Sequence, residues 1–400
     1  MSKRISIFGY GTTTKPLARH IKNAVFYDDK CTQPYGGLHG SFVRPSSEFN
    51  PNNSDLEITS PGIPPSNHLI QKAKNLISEY DYFADVMNLK IWISGTNGKT
   101  TTTQMMQHLL NDKGSLAGGN IGTPLADLNQ EAPIWILETS SFTMHYTNSA
   151  KPNIYVLLPL SPDHLSWHGS MQGYIDDKLK PLSMMTSQDT AIIPQAYKNT
   201  PTKAKLITYK DENDLSTIFE IDTKKVNFKG AFLADALLAM AVDKLLFKRV
   251  DYKKINAFTL DPHRQEELRD SKERLWVNDT KATNLDATIA AVKRYEGSFI
   301  HLILGGDDKG VDLHELFEFL KDKKLSLYNI GSNKTKLSQL AQEYKIPFST
   351  CLNLKDVILS IDIKLKENEV ALLSPAASSL DEFSSYAQRG DIFKTAVRKI

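Results

Sequence analysis

Apolar residues recur along this chain in short runs, each closed by glycine, asparagine, aspartate, serine or proline, with longer mixed stretches between them. Runs of that length, rich in branched and aromatic residues, predict buried strands, and the stretches between them predict helices. The opening run, Ile5 to Phe8, passes through Gly9-Tyr10-Gly11-Thr12 into a helical stretch reaching about Ile21. A second strand, Ala24 to Tyr27, then ends in Asp28-Asp29-Lys30. This is a β-α-β pattern with a nucleotide-type turn. The third glycine of the dinucleotide fingerprint is missing and Asp28 falls early, which argues against a NAD site. Leu56 to Thr59 reads as a short strand, and Ser60-Pro61-Gly62-Ile63-Pro64-Pro65 as a turn before a polar helix.

A boundary near Asn88 follows. Strands at Ile91 to Ser94, Trp135 to Glu138 and Ile154 to Pro159 then alternate with helices, as a parallel sheet with crossover helices requires. A helix from about Ala231 to Leu246 closes this middle region. Beyond Pro262-His263-Arg264, strands are expected at Leu275 to Val277, Phe299 to Leu304, Ser326 to Ile330 and Val370 to Leu373. The fold class is therefore α/β, with domains at 1–88, 89–260 and 261–400. The length of 400 residues and the 40% hydrophobic fraction allow more than one core.

Lys and Arg number 48 against 46 Asp and Glu, a formal +2. So balanced a surface sets up no global field for nucleic acid or a membrane, and an anionic ligand must be held by local groups. The 2 cysteines, Cys31 and Cys351, have neither metal-ligand nor redox spacing, which points to a reducing cytoplasmic setting. The first apolar run breaks at Gly9 before a signal core could form, and no stretch reaches membrane-spanning length.

The most informative chemistry lies in Ile91-Trp92-Ile93-Ser94-Gly95-Thr96-Asn97-Gly98-Lys99-Thr100-Thr101. A strand runs into a glycine-containing turn and a Lys-Thr pair that starts a helix. Backbone N–H groups and the positive end of the helix suit phosphate oxygens, Lys99 suits the outer phosphates, and the Thr100 hydroxyl suits Mg²⁺. The full spacing needs glycine where Ile93 stands, so this is a shortened phosphate loop. Glu138 ends one neighbouring strand and Ser161-Pro162-Asp163-His164 follows another, which places a carboxylate and an imidazole at the same sheet edge. Asn120-Ile121-Gly122 offers an amide and flexible backbone. In the last region Asn278-Asp279-Thr280-Lys281-Ala282-Thr283-Asn284, Gly305-Gly306-Asp307-Asp308-Lys309 and Ser374 to Leu380 are polar loops at strand ends, which together suggest a second pocket.

These blocks, with Pro262-His263-Arg264, Tyr174, Lys178 and Gln388-Arg389-Gly390, resemble the Mur ligase family along the whole chain, and the Lys281-Ala282-Thr283-Asn284 and Ser374 to Asp381 blocks favour its D-glutamate-adding branch. The resemblance implies a Rossmann-like UDP-substrate domain, a central P-loop-type ATPase domain and a Rossmann-like amino-acid domain. The implied activity is ATP-dependent addition of D-glutamate to UDP-N-acetylmuramoyl-L-alanine through an acyl phosphate, in cell-wall precursor synthesis serving cell shape and division. The expected partners are these small molecules alone, without nucleic acid or membrane, in a cytoplasmic monomer. Gly95, Thr96, Asn97, Gly98, Lys99, Thr100 and Thr101, with Arg264 and Asp279, would hold ATP. Thr100, Glu138, His164 and a carbamylated Lys178 would hold Mg²⁺ at two sites, with Lys99, Glu138, His164 and Lys178 catalytic. Gly11, Thr12, Asp28, Lys30, Ser60, Asn120, Ser140 and His164 would meet the UDP substrate. Lys281, Thr283, Lys309, Ser379, Leu380 and Tyr386 would frame D-glutamate. One departure stands out: the family's His-Asn pair at the helix closing the middle region is replaced by Phe232-Leu233, which leaves an apolar pair to sandwich adenine. The alternatives are a folylpolyglutamate-type ligase, a P-loop kinase or transport ATPase, and a non-catalytic nucleotide-binding module.

Overall fold

The computed structural model describes residues 3–400. The chain divides into two compact units, one running to Phe228 and resuming over Phe232–Phe258, the other formed by Thr259–Ile400 with Lys229–Ala231. The first unit carries two sheets. Strands β1 (Ile5–Phe8), β2 (Val25–Asp28), β3 (Tyr35–Gly36), β4 (Phe42–Pro45), β5 (Leu56–Thr59) and β6 (Leu76–Ile77) lie in the order 3-4-2-1-5-6. Only β3 pairs antiparallel, so Ile7 sits beside Phe26 on one side and Ile58 on the other. The second sheet holds β7 (Leu89–Ser94), β8 (Ser115–Gly119), β9 (Ile134–Glu138), β10 (Ile154–Leu157), β11 (Thr190–Pro194) and β12 (Lys205–Tyr209) in the order 12-11-10-7-9-8, all parallel.

That order explains where chemistry can gather. From β7 the chain crosses to one side for β8 and β9 and then to the other for β10, so the crevice beyond the carboxyl end of β7 is a topological switch point. The phosphate-loop sequence starts there, with Glu138 at the end of β9 beside it. The run Ile91, Trp92, Ile93 is buried on both faces, as a central parallel strand demands. Trp92 and Trp135 share one core with Ile7 and Phe26 of the first sheet, so the two sheets of this unit are welded by apolar burial.

The second unit repeats the logic with β13 (Glu266–Arg269), β14 (Leu275–Asn278), β15 (Phe299–Gly305), β16 (Leu325–Ile330), β17 (Phe348–Thr350) and β18 (Glu369–Leu373) in the order 13-14-18-15-16-17. Strand alternation sends Ile300, Leu302 and Leu304 into one core and Ile303 into the other, where it meets Trp276, Tyr328 and Phe393. Because β18 inserts between β14 and β15, the loops after residues 278, 305 and 373 emerge side by side.

Several elements depart from the sequence expectation. The helix expected up to Ile21 is a five-residue 3₁₀ turn, Lys15–Arg19, because the turn after β1 extends to Thr14, whose hydroxyl donates to Gly9 O at 2.6 Å and accepts from Gly11 N at 3.2 Å, so the helical part starts late. The edge strand β13 pairs antiparallel and reads Glu-Glu-Leu-Arg, a polar edge without the periodic apolar signal that betrays central strands.

Candidate active site

The phosphate loop is held open by its glycines. Gly98 has φ 84°, and a Cβ there would stand 2.5 Å from Asp235 Oδ1 and 2.6 Å from Leu158 Cδ2. No other residue satisfies both the dihedral and the space. The following helix, Lys99–Leu110, starts at once, and Thr102 Oγ1 donates to Asp235 Oδ1 at 2.9 Å, tying its first turn to the Ala231–Phe247 helix. Lys99 folds back so that Nζ donates to Gly95 O at 3.0 Å and Thr96 O at 2.7 Å. Thr96 Oγ1 accepts from Ser161 N at 2.9 Å and lies 3.0 Å from Tyr174 Oη. Thr101 is buried, which leaves its backbone N–H as the group it can present.

Beside this loop stands Glu138, 3% exposed at the end of β9. Its Oε2 accepts from Thr100 Oγ1 at 2.8 Å and its Oε1 from Asn120 Nδ2 at 2.7 Å. Asn120, Glu138 and Thr100 thus form one hydrogen-bonded line across the switch point. Lys178 is 1% exposed, with Nζ donating to Gly95 O at 2.8 Å and Ser94 Oγ at 3.3 Å and lying 4.9 Å from the centre of the Tyr174 ring. Burial, and secondarily the like charge of Lys99, push this amine well below the ordinary lysine range. Ser140 caps the Ser141–Tyr146 helix by accepting from Thr143 N at 3.1 Å.

His164 takes a left-handed conformation (φ 53°) after β10, with Nε2 3.3 Å from Asp163 Oδ2 and its ring 4.7 Å from Phe142. A network that sequence reasoning missed underlies it. His168 lies with Nε2 2.9 Å from Ser141 Oγ and Nδ1 2.8 Å from Asp177 Oδ2, and the same carboxylate meets His145 at 3.0 Å. One imidazole therefore links the turn after Glu138, the His164 loop and the helix carrying Lys178. Nothing in the spacing of 141, 168 and 177 could have signalled it, since they meet only through the crossover packing.

In the first sheet Asp28 accepts from Tyr10 N at 2.6 Å and Lys30 N at 2.8 Å. Its carboxylate thereby brackets the Gly9-to-Gly11 turn. Ser60 N bonds Phe8 O at 2.9 Å, which sets the Ser60 turn against Gly9. A small cavity of about 30 Å³ opens between these turns and the middle sheet, lined by Thr13, Pro61, Tyr80 and Asn120 among others.

In the second unit Asp279 is buried, with Oδ2 accepting from Ser374 Oγ at 2.9 Å and Oδ1 from Gln265 N at 3.1 Å; burial raises its carboxyl to about 7. Lys281 Nζ lies 5.5 Å from the centre of the Tyr386 ring, Ser379 is buried, and Leu380 is exposed. Lys309 is exposed in a left-handed turn (φ 51°) whose backbone N–H bonds Asp307 Oδ1 at 3.0 Å. Asn284 caps the Leu285–Tyr295 helix by accepting from Ala287 N at 3.0 Å. Phe232 is only 7% exposed, so the apolar pair expected to sandwich adenine is largely committed to the core on its Phe side.

A phosphate loop at the switch point of a parallel sheet, flanked by a buried carboxylate and amine, defines the class: an α/β enzyme that works on a nucleoside triphosphate. Residues 93–236 match the Mur ligase middle domain. Over its full length the chain is similar to the UDP-N-acetylmuramoylalanine--D-glutamate ligase of Campylobacter jejuni, 52% identical over 99% of this chain and 100% of that one. It is also similar to the ligase of the same name from Helicobacter pylori, 45% identical over 99% and 100%. The chain belongs to this family, the UDP-N-acetylmuramoylalanine--D-glutamate ligases among the Mur ligases. A crystal structure of MurF ligase from Thermotoga maritima in complex with ADP shares the fold, with a TM-score of 0.62 at 15% identity over 98% of each chain. No helix among the described residues is long and apolar enough to cross a membrane.

Proposed function

We propose that this chain joins D-glutamate to UDP-N-acetylmuramoyl-L-alanine with consumption of ATP, as a cytoplasmic monomer, with substrate segments at 1–88, 89–260 and 261–400. The observation that carries the reading is the Asn120-Glu138-Thr100 line beside the phosphate loop, in a chain whose full-length relatives bear that activity in their name. In the first step a carboxylate oxygen of the substrate attacks the γ-phosphorus; the new P–O bond forms as the bond to the β-phosphate oxygen breaks and ADP leaves. In the second, the amine of D-glutamate attacks the acyl carbon; the C–N bond forms, phosphate leaves and the amine gives up a proton. Phosphoryl transfer of this kind asks for positioning and charge neutralisation more than covalent help.

Lys99 and the backbone N–H groups of 95–101 would hold the triphosphate. Hard oxygen donors suit Mg²⁺, and the adjoining Thr100 hydroxyl and Glu138 carboxylate fit that requirement, with His164 on the neighbouring loop. When bound, the metal would neutralise phosphate charge at this edge. Lys178 as an ammonium would not fit, whereas its burial favours the neutral amine, which can add CO₂ and become an anionic oxygen donor. Gly11, Thr12, Asp28, Lys30, Ser60, Asn120, Ser140 and His164 are assigned to the UDP substrate, with Asp28 also bracketing the turn that carries Gly11. Arg264 and Asp279 are assigned to the nucleotide, and Lys281, Thr283, Lys309, Ser379, Leu380 and Tyr386 to D-glutamate.

The test is product analysis with UDP-N-acetylmuramoyl-L-alanine, ATP and each amino-acid isomer in turn. D-Glutamate alone should give an amide product together with stoichiometric ADP and phosphate. A product with another amino acid, or ATP hydrolysis without amide, overturns the reading.

A further inference from the structure

Arg389 is 1% exposed, one turn after Tyr386 in the Tyr386–Val397 helix. Its guanidinium reaches three different loops. Nε donates to Thr280 Oγ1 at 2.8 Å, Nη2 to Thr280 O at 3.0 Å and Ala377 O at 3.2 Å, and Nη1 to Gly305 O at 3.4 Å. Each of these partners is a carbonyl or hydroxyl oxygen. Burying a charge is costly, and burial pulls the group down to about 10 against the opposing attraction of Asp381 and Glu382, which leaves it protonated at neutral pH.

The identity of the three loops gives this expense a purpose. Thr280 precedes Lys281, Gly305 opens the segment that carries Lys309, and Ala377 stands two residues before Ser379. The loops also touch one another: Asp307 and Ser378 exchange N–H···O bonds of 2.9 Å in both directions. At Gly306 (φ 145°) a Cβ would stand 2.1 Å from Ser378 O and 3.2 Å from Arg389 Nη1. A planar fork with five fixed donors can address carbonyls from three directions at once; a lysine, with one tetrahedral ammonium on a flexible stem, cannot.

We propose that Arg389 is a positioning residue that sets the spacing of Lys281, Lys309 and Ser379 around the amino-acid substrate. The inference rests on the assignment of those residues to D-glutamate. Arg389 itself makes no contact with substrate: its work is to hold the ends of β14, β15 and β18 at one separation, so that two cations and a hydroxyl meet a dicarboxylate without rearrangement.

Steady-state kinetics of the full chain, varying D-glutamate, ATP and the UDP substrate separately, tests this in Arg389→Lys, Thr280→Val and Lys309→Ala, each checked for an intact melting transition. Arg389→Lys keeps the charge and loses the fork, so its KM for D-glutamate should rise about tenfold while the KM for ATP stays within about twofold. Thr280→Val removes the acceptor of Nε together with the hydroxyl's 3.2 Å bond to Tyr386 O, and should move the same constant in the same direction by a smaller factor, which keeps the test alive if Arg389→Lys fails to fold. If Lys309→Ala raises the D-glutamate KM but Arg389→Lys and Thr280→Val leave it unchanged, or raise all the KM values alike, the positioning role is overturned and the subsite stands. If Lys309→Ala changes nothing, the subsite assignment is overturned, and the positioning role with it.

Discussion

At the residue scale, burial favours the uncharged form of two ionisable groups. Lys178 sits where an ammonium is desolvated and faces Lys99, so the neutral amine is favoured and can attack CO₂, forming an N–C bond and releasing a proton. If the resulting carbamate is the working form, Lys178→Ala should lower kcat by roughly 10²- to 10³-fold, the scale of losing one charge-stabilising group in a site. Formate or acetate added to that variant should restore part of the rate. Unchanged turnover in Lys178→Ala would sink the idea. Glu79 is a carboxyl 4% exposed, with Oε1 accepting from Ala126 N at 3.0 Å, and burial raises it from 4.5 to about 8. Between those values the native chain holds one proton more than the unfolded chain. Its contribution to stability is therefore full below about pH 4.5 and is lost as the pH rises through about 8. The slope is at most about 1.4 kcal/mol per pH unit for one proton. Glu79→Gln, which mimics the protonated form, should flatten the fall in denaturation midpoint between pH 5 and 8. A variant that follows the parent's slope throughout would show that Glu79 is ionised in the native state.

At the scale of elements, the decisive joint is the turn between β7 and the Lys99–Leu110 helix. Its helix cannot start one residue earlier, because Gly98 adopts a left-handed conformation against Leu158 and Asp235. Gly98→Ala should cost about 1 to 3 kcal/mol in strain and displacement. Because the displaced atoms flank the loop itself, the KM for ATP should rise along with the fall in melting temperature. Calorimetric melting and ATP titration on the same preparation check this; a lowered melting temperature with unaltered ATP affinity would place the strain elsewhere. The Asp235 carboxylate that closes this joint belongs to the helix expected to meet adenine, and its bond to Thr102 shows that face turned towards the phosphate-loop helix.

At the scale of the whole molecule, cores rather than sequence intervals define what can fold alone. The first sheet shares its core with the middle one, Ile7 and Phe26 lying in one apolar cluster with Trp92 and Trp135. The second unit has a sheet covered on both faces by cores of its own. Residues 259–400 expressed alone should therefore fold cooperatively, whereas residues 3–88 alone should not, since their apolar side would lie open to water. Circular dichroism with thermal melts decides: an unfolded 259–400 fragment or a cooperatively melting 3–88 fragment refutes it.

Local sequence carried a good deal of this. Short apolar runs specified central strands such as β10 at Ile154–Leu157 and the run Val370 to Leu373 of β18, because a strand buried on both faces is selected to be apolar along its length. Glycine followed by Lys99-Thr100 marked the phosphate loop, because its dihedrals and donors are properties of a few consecutive residues. Polar edges such as β13 escaped notice, since no local pattern requires them to be apolar. What only the tertiary structure decided is which distant groups meet. The strand order sets Thr100 and Asn120 on the two oxygens of Glu138, and crossover packing brings His168 between Ser141 and Asp177. The insertion of β18 between β14 and β15 lets one guanidinium reach three loops. Local sequence encodes backbone conformation within a few residues; contacts across 38 or 109 positions exist only once the sheet order has been chosen.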